Sequence, residues 1–288
     1  MLKQRVMAKL LITGNTCVQS RGFGAYTPLG RPDIAVAYLD AWGADELVCL
    51  HIDHAGRGDA AYLDAVRRYA AGCHVPLAVG GGMGSEEQIH GALSNGADKV
   101  VVNSLLHMRP GVITAAAKRF GCQSLIVSVD VQNENGRYVV YSHGGRVRSA
   151  MPLEDVVLLA ADCGAGELMI CHMEREGRSC GYDSALLEKV RSLTALPVIA
   201  SGGYSSPADV LACFNAGMSG VAIGNALHHA EHSLAVIKSC LAERGANIRN
   251  DGPVRYVPEL VDGSDRPAKL SEETLLQLRF RKNVPVSI

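Results

Sequence analysis

Eight short, β-rich apolar runs recur along the chain at nearly regular intervals: LLIT (10–13), ELVCLHI (46–52), PLAVGG (76–81), KVVVN (99–103), SLIVSVD (124–130), ELMICHM (167–173), PVIASGG (197–203) and GVAIGN (220–225). Nearly all are apolar at successive positions, as strands buried on both faces must be. The stretches between them carry helical patterns such as AAYLDAVRRYAAG, SEEQIHGALSNG, PGVITAAAKRFG, LEDVVLLAADCG, SALLEKVRSL and SPADVLACFNAG, several of them closed by glycine. Eight such alternations predict an α/β chain folded as a (β/α)8 TIM barrel. The barrel domain should span 1–250. Residues 136–147, GRYVVYSHGGRV, read as a small hairpin inserted after the fifth strand. Residues 251–288 form a Pro-rich, charged C-terminal extension in which Ser271 can cap a short helix, EETLLQLRFRK.

The two halves of the chain echo one another. VGGG (79–82) followed by GADKVVVN (96–103) is repeated as ASGG (200–203) followed by GMSGVAIGN (217–225), with the same spacing between the paired glycines. A duplicated half-barrel is the economical reading. Extended one strand back, the echo lays KLLITGN under SLIVSVD and sets Asn15 opposite Asp130.

In this fold the working residues stand at the C-terminal ends of the strands, and phosphates bind where Gly-rich turns present backbone N–H groups. Gly81 and Gly82 with Asn103 and Ser104 would make one such cradle. Gly202 and Gly203 with Gly224 and Asn225 would make its twin, closed by Gly177. Two cradles at one barrel mouth predict a small substrate with two phosphate-like ends. A net charge of −1 with 28 basic and 29 acidic side chains offers no field for nucleic acid or an anionic membrane. Nine scattered cysteines without a CxxC pair, no signal-like apolar segment and no long apolar run suggest a cytoplasmic protein with reduced thiols.

The runs DELVCLHI, PLAVGGGM, GADKVVVNS, VSVD, GAGELMICHMEREGRSCGYD and LPVIASGG, in this order, resemble the cyclase subunit family of imidazole glycerol phosphate synthase over about residues 5 to 250. The resemblance implies an ammonia-dependent lyase of histidine biosynthesis type. A separate glutaminase chain would release ammonia, which passes up the barrel to a bisphosphorylated ribulosyl aminoimidazole. It also implies a charged gate at the barrel bottom, here Lys9, Glu46, Lys99 and Glu167, with the glutaminase docking around Asp98. Two carboxylates of the family move protons during ring closure. Asp130 matches the second, and the first falls on Asn15, or on Thr16 if the alignment slips by one.

The departures from the family gather at the mouth. His51 replaces an Asp, Cys171-His172 replaces Thr-Ser, and Glu176 replaces an Asp. His51 or His172 is therefore a candidate proton acceptor in place of the lost carboxylate. His51, Asp53, His54, Cys171 and His172 do not have a spacing that secures three converging ligands, so neither metal nor cofactor is expected. With the gate and cradles kept and one acid lost, the sequence suggests an ammonia-using barrel diverted to another phosphorylated substrate, such as a nucleotide-linked sugar converted to an amidine. The alternatives are the histidine-pathway cyclase itself and a non-catalytic phosphate-binding scaffold that activates a glutaminase.

Overall fold

The computed structural model describes residues 2–53 and 60–250. The chain opens with β1 (Arg5–Thr13), which turns back into a hairpin of β2 (Thr16–Arg21) and β3 (Ala25–Gly30), followed by α1 (Pro32–Ala41). Strand and helix then alternate as β4 (Glu46–His51), α2 (Ala60–Ala71), β5 (Leu77–Gly80), α3 (Glu86–Ser94) and β6 (Lys99–Val102), with α4 (Ser104–Met108) and α5 (Pro110–Phe120) after it. Next come β7 (Leu125–Glu134), β8 (Arg137–Ser142) and β9 (Val147–Arg148), then α6 (Leu153–Asp162), β10 (Glu167–His172) and α7 (Ser184–Leu193). The last elements are β11 (Val198–Ser201), α8 (Pro207–Asn215), β12 (Gly220–Ile223) and α9 (Ser233–Glu243).

Eight of these strands pair in parallel in the order β1, β4, β5, β6, β7, β10, β11, β12, and β12 returns to β1, so the sheet closes into a barrel. Side chains alternate between its two faces. Along β1, Val6, Ala8, Leu10 and Ile12 join the large core between sheet and helices. Met7 points inward and belongs to a separate cluster to which every barrel strand gives one residue: Met7, Val48, Ala78, Val101, Ile126, Met169, Ile199 and Ala222. This apolar plug fills the middle of the lumen, and what lies above and below it sets the function.

Strand one differs from its sequence expectation. It begins at Arg5, not at Leu10. Because Arg5 and Lys9 fall on the inward face, the stretch RVMAK does not read as an apolar run, yet its outward residues are wholly buried. The hairpin after β7 has the expected place, and it grows from β7 itself through an Asn135-Gly136 turn in which both residues hold positive φ. That is the geometry two-residue hairpins demand. The first loop is also a hairpin, β2 with β3, turned by Gly22 and Phe23 at positive φ. His54 and the C-terminal extension, including its expected helix, lie outside the described residues.

Candidate active site

A closed ring of charge stands at the lower end of the lumen. Arg5 Nη1 donates to Glu46 Oε2 at 2.7 Å, and its other nitrogen pairs with Glu167. Lys99 Nζ bridges the same two carboxylates, at 2.9 Å to Glu46 and 2.6 Å to Glu167. Burial pushes the Glu46 carboxyl above its ordinary value, with Lys99 and Arg5 opposing. For Glu167 burial acts in the same sense, but Arg5 and Lys99 outweigh it and hold the group below the usual carboxylate value. Two cations and two anions thus neutralise one another where unpaired charge would be costly to desolvate.

Lys9, expected in this ring, is not part of it. It stands on the inward face of β1 beyond Met7, so that the plug separates it from the ring. Its Nζ donates to Glu176 Oε2 at 2.9 Å and Ser201 Oγ at 2.8 Å, and Cys171 Sγ lies 3.9 Å away. Arg5 takes the place in the ring that was expected of Lys9. The misplacement follows from starting strand one at Leu10.

Above the plug the barrel opens into a cavity of about 450 Å³ whose lining includes Lys9, Leu11, Leu50, Ser128, Asp130, Cys171, Glu176 and Ser201. Asp130 is buried and accepts from Asn103 Nδ2 at 3.1 Å. Burial pushes its carboxyl up to about 7; Lys9 and the Asn103 amide pull against this, and Glu176 adds to it. A carboxyl with that value is half ionised near neutrality and suits a group that must both take and return a proton.

The strand register fixes which residue mirrors it. Met7 pairs with Glu46 as Ile126 pairs with Glu167, and continuing both ladders sets Leu11 beside Leu50 and Asp130 beside Cys171. The counterpart of Asp130 in the first half-barrel is therefore Leu11. Asn15 sits exposed in the turn between β1 and β2, and Thr16 pairs with Thr13 in the hairpin; neither lines the cavity.

One cradle opens on this cavity. Gly81 and Gly82 hold positive φ, and a Cβ on Gly81 would lie 2.1 Å from the His51 carbonyl oxygen, so only glycine fits there. Arg109, Arg146, Gln88 and His143, which the sequence reading did not single out, line the same side. Arg146 follows the Gly144-Gly145 turn of the inserted hairpin, and a basic residue at that tip, hung over the barrel mouth, was the available signal. Ser104 Oγ accepts from the His143 N–H at 2.9 Å, while Asn103 holds Asp130.

Residues 5–233 match the family described as Histidine biosynthesis protein. The imidazole glycerol phosphate synthase subunit HisF of Myxococcus xanthus is 37% identical over 254 residues, covering 87% of this chain and 99% of that protein. The HisF subunits of Hyphomonas neptunium and Symbiobacterium thermophilum are each 36% identical over 250 and 252 residues, covering 86% of this chain and 99% of each protein. The chain belongs to the HisF family.

In this HisF-family barrel the second cradle is covered. Gly177, Gly202 and Gly203 hold positive φ as tight turns require. Strand β2 lies directly on Gly177 and Asn225: Asn225 Nδ2 donates to the Ser20 carbonyl at 2.6 Å, and a Cβ on Gly177 would lie 1.8 Å from that oxygen. The Gly22 N–H donates to the Glu176 carbonyl at 2.8 Å. None of Gly177, Gly202, Gly203, Gly224 and Asn225 lines the described cavity.

The rings of the two candidate histidines turn toward the helices. Leu50 and Cys171 occupy the inward positions, so the next residues face the helices. The His51 ring packs edge-on to Tyr62 and stacks on Tyr69, whose hydroxyl is 3.3 Å from Nε2, and burial holds its imidazole below the ordinary histidine value. His172 Nε2 lies 3.3 Å from Asp183 Oδ2; Asp183 also accepts from Tyr138 and caps α7 through the Leu186 N–H. The His51 ring therefore packs on the helix layer although the residue also borders the cavity, whereas His172 does not line it and packs at the start of α7. Asp98 is exposed on the lower side and accepts from the Leu77 N–H at 2.8 Å.

Proposed function

We propose that the chain is the cyclase subunit of an imidazole glycerol phosphate synthase, receiving ammonia from a separate glutaminase docked below the barrel near Asp98. The carrying observation is the order of layers along the barrel axis: the ring of Arg5, Glu46, Lys99 and Glu167, the apolar plug, then the cavity with Asp130. Neutral ammonia suits such a path, because an apolar lumen rejects water-borne ions far more strongly than an uncharged molecule. At the mouth, the glycine turn and Arg109 and Arg146 hold one phosphate of a bisphosphorylated ribulosyl aminoimidazole over Asp130. Gly177, Gly202, Gly203, Gly224 and Asn225 receive the other once β2 lifts. Asp130, with its value near neutrality, takes a proton from the attacking nitrogen and returns it during cleavage and ring closure.

The nucleotide-linked acceptor raised by the sequence has no support among the relatives named above, each of which is a HisF subunit. A second reading, in which the same ammonia route serves a different phosphorylated acceptor, is favoured by Leu11 standing where a carboxylate would complete the pair. One assay separates them. Purified protein is given the histidine-pathway substrate and excess ammonium at alkaline pH; formation of the imidazole product supports the cyclase, and a folded protein that binds the substrate without turnover overturns it. A scaffold that only activates a glutaminase predicts that Asp130→Asn changes no product formation.

A further inference from the structure

The pocket holds one charged group that the cyclase reading does not use. Lys9 is almost fully buried, 4% exposed, at the junction of plug and cavity, and its Nζ is held in a fixed place by Glu176 and Ser201. Cys171, 3.9 Å from that nitrogen, is the register partner of Asp130 on the neighbouring strand. Lys9, Cys171, Glu176, Ser201 and Asp130 therefore share the floor of one cavity. A lysine is an expensive occupant of a buried position directly beyond the apolar plug. A structural role alone would be served as well by two neutral residues at positions 9 and 176.

We propose that Lys9 is a positioning residue for Asp130, its fixed ammonium compensating for the carboxylate missing at Leu11 so that a single acid can carry both proton transfers. This rests on the cyclase reading. With two carboxylates, one can accept while the other donates. With one, the same proton is taken by the Asp130 carboxylate from the attacking nitrogen and handed back from the resulting carboxylic acid to the departing one. The net proton change is zero, and Lys9 stays protonated throughout. Such a group must ionise readily in a buried site, and a nearby fixed cation promotes that.

The electrostatics agree with the geometry. Burial works against the Lys9 charge, but Cys171, Glu176 and Asp130 outweigh it and hold the ammonium well above the ordinary lysine value. Among the groups acting on Asp130, Lys9 is the strongest influence favouring ionisation, ahead of the Asn103 amide, whereas Glu176 opposes it. From the hairpins above, Tyr26, Arg146 and His143 also line the cavity. Only Lys9 brings a positive charge to its floor among the described lining residues.

The test uses full-length protein in three forms, Lys9→Met, Glu176→Gln and the charge-neutral double variant Lys9→Met with Glu176→Gln. The last protects against misfolding from an unpaired buried carboxylate. Titration of Asp130 is followed without substrate by the infrared carbonyl band of its protonated form, assigned with Asp130→Asn, and the pH profile of ammonium-dependent kcat is recorded alongside. The expected result for Lys9→Met is a titration and an acid limb both moved up by about one pH unit, with kcat at pH 6 lowered about tenfold and KM little changed; the double variant, which also loses the opposing Glu176 charge, should shift in the same direction by less. A folded Lys9→Met variant that titrates like the wild type overturns the proposal, as does a double variant that titrates no higher than Glu176→Gln alone, or a shifted titration with an unshifted kcat profile. If the wild type does not turn over the substrate, the cyclase reading has failed, and the titration alone still decides whether Lys9 governs Asp130.

Discussion

Leu11 and Asp130 occupy equivalent places in the two half-barrels: one lies beside Leu50 on β4, the other beside Cys171 on β10, and both line the cavity above the apolar plug. The site thus has two equivalent places, of which one holds an acid and the other a leucine. Leu11→Asp restores the pair, and because Leu11 is only partly buried and borders an open cavity, the change should be tolerated. Ammonium-dependent turnover of the histidine-pathway substrate should rise at least severalfold near neutral pH. Asn15→Asp, on the exposed turn, should leave it unchanged. An equal response of the two variants would show that the register argument does not describe the chemistry.

The charged ring makes a separate claim about coupling. Lys99→Met leaves Glu46 and Glu167 to share Arg5, which should lower stability by about 1 to 3 kcal/mol, less than for a fully buried pair because Lys99 is partly exposed. With a glutaminase partner present, the ratio of product formed to glutamine hydrolysed should fall well below one, while turnover on added ammonium should persist. Calorimetry and a two-product assay read these effects independently. Arg5→Met should behave alike; Lys9→Met should not loosen the coupling, since Lys9 stands beyond the plug.

Asp130 should also leave a mark on stability as a function of pH. Its folded value, about 7, lies above the ordinary aspartate value of 3.8. Below pH 4 the group is protonated both folded and unfolded. Between pH 4 and 7 the folded chain keeps a proton that the unfolded chain releases easily, so its contribution declines as pH rises and is lost above 7. Asp130→Asn removes this dependence. The Tm difference between variant and wild type should therefore grow by about 3 to 6 °C in the variant's favour from pH 5 to pH 8. A difference independent of pH would mean that Asp130 is already ionised in the folded protein at pH 5.

These particulars show what the amino-acid order made legible. Glycines at 81, 82, 202 and 203 and the apolar runs around them marked the barrel, its duplication and the tight turns at its mouth, because backbone demands and burial on both faces leave local traces. The ring was nearly legible: Glu46, Lys99 and Glu167 stand just before apolar runs, but Arg5 was missed since two cations on the inward face of β1 broke the run that announces a strand. The same slip moved Lys9 from cavity floor to gate and put Asn15 opposite Asp130. The directions of the His51 and His172 side chains were illegible for a related reason. With a period of two, one residue decides between lumen and helix layer, and only the register, through Glu46 beside Met7 and Glu167 beside Ile126, settles it.

That outward placement is itself testable. His51 sits against Tyr62 and Tyr69, with its Nε2 within 3.3 Å of the Tyr69 hydroxyl. His51→Phe keeps an aromatic ring in the same space and should leave kcat within about threefold of wild type, with a Tm decrease of a few degrees from the lost contact. His172→Phe, next to Asp183 at the start of α7, should again cost stability more than activity. A loss of kcat of a hundredfold or more in a folded His51 variant would restore that residue as a proton acceptor.

Arg146 and Arg109 extend the argument to the substrate's phosphate. Both line the cavity beside Gly82 and Gly84, and Arg109 lies close enough to Gly84 that a Cβ there would come within 3.4 Å of its guanidinium. A guanidinium matches a phosphate with two parallel hydrogen bonds, so each is expected to act in binding and not in the proton transfers over Asp130. Arg146→Ala should raise KM about tenfold or more with kcat changed by less than threefold, and Arg146→Lys should recover only part of the loss. Inorganic phosphate is expected to inhibit by occupying the glycine turn, and its inhibition should weaken in proportion. If kcat falls while KM holds, Arg146 acts in the transition state, and the phosphate would have to be placed on the opposite cradle, beneath β2.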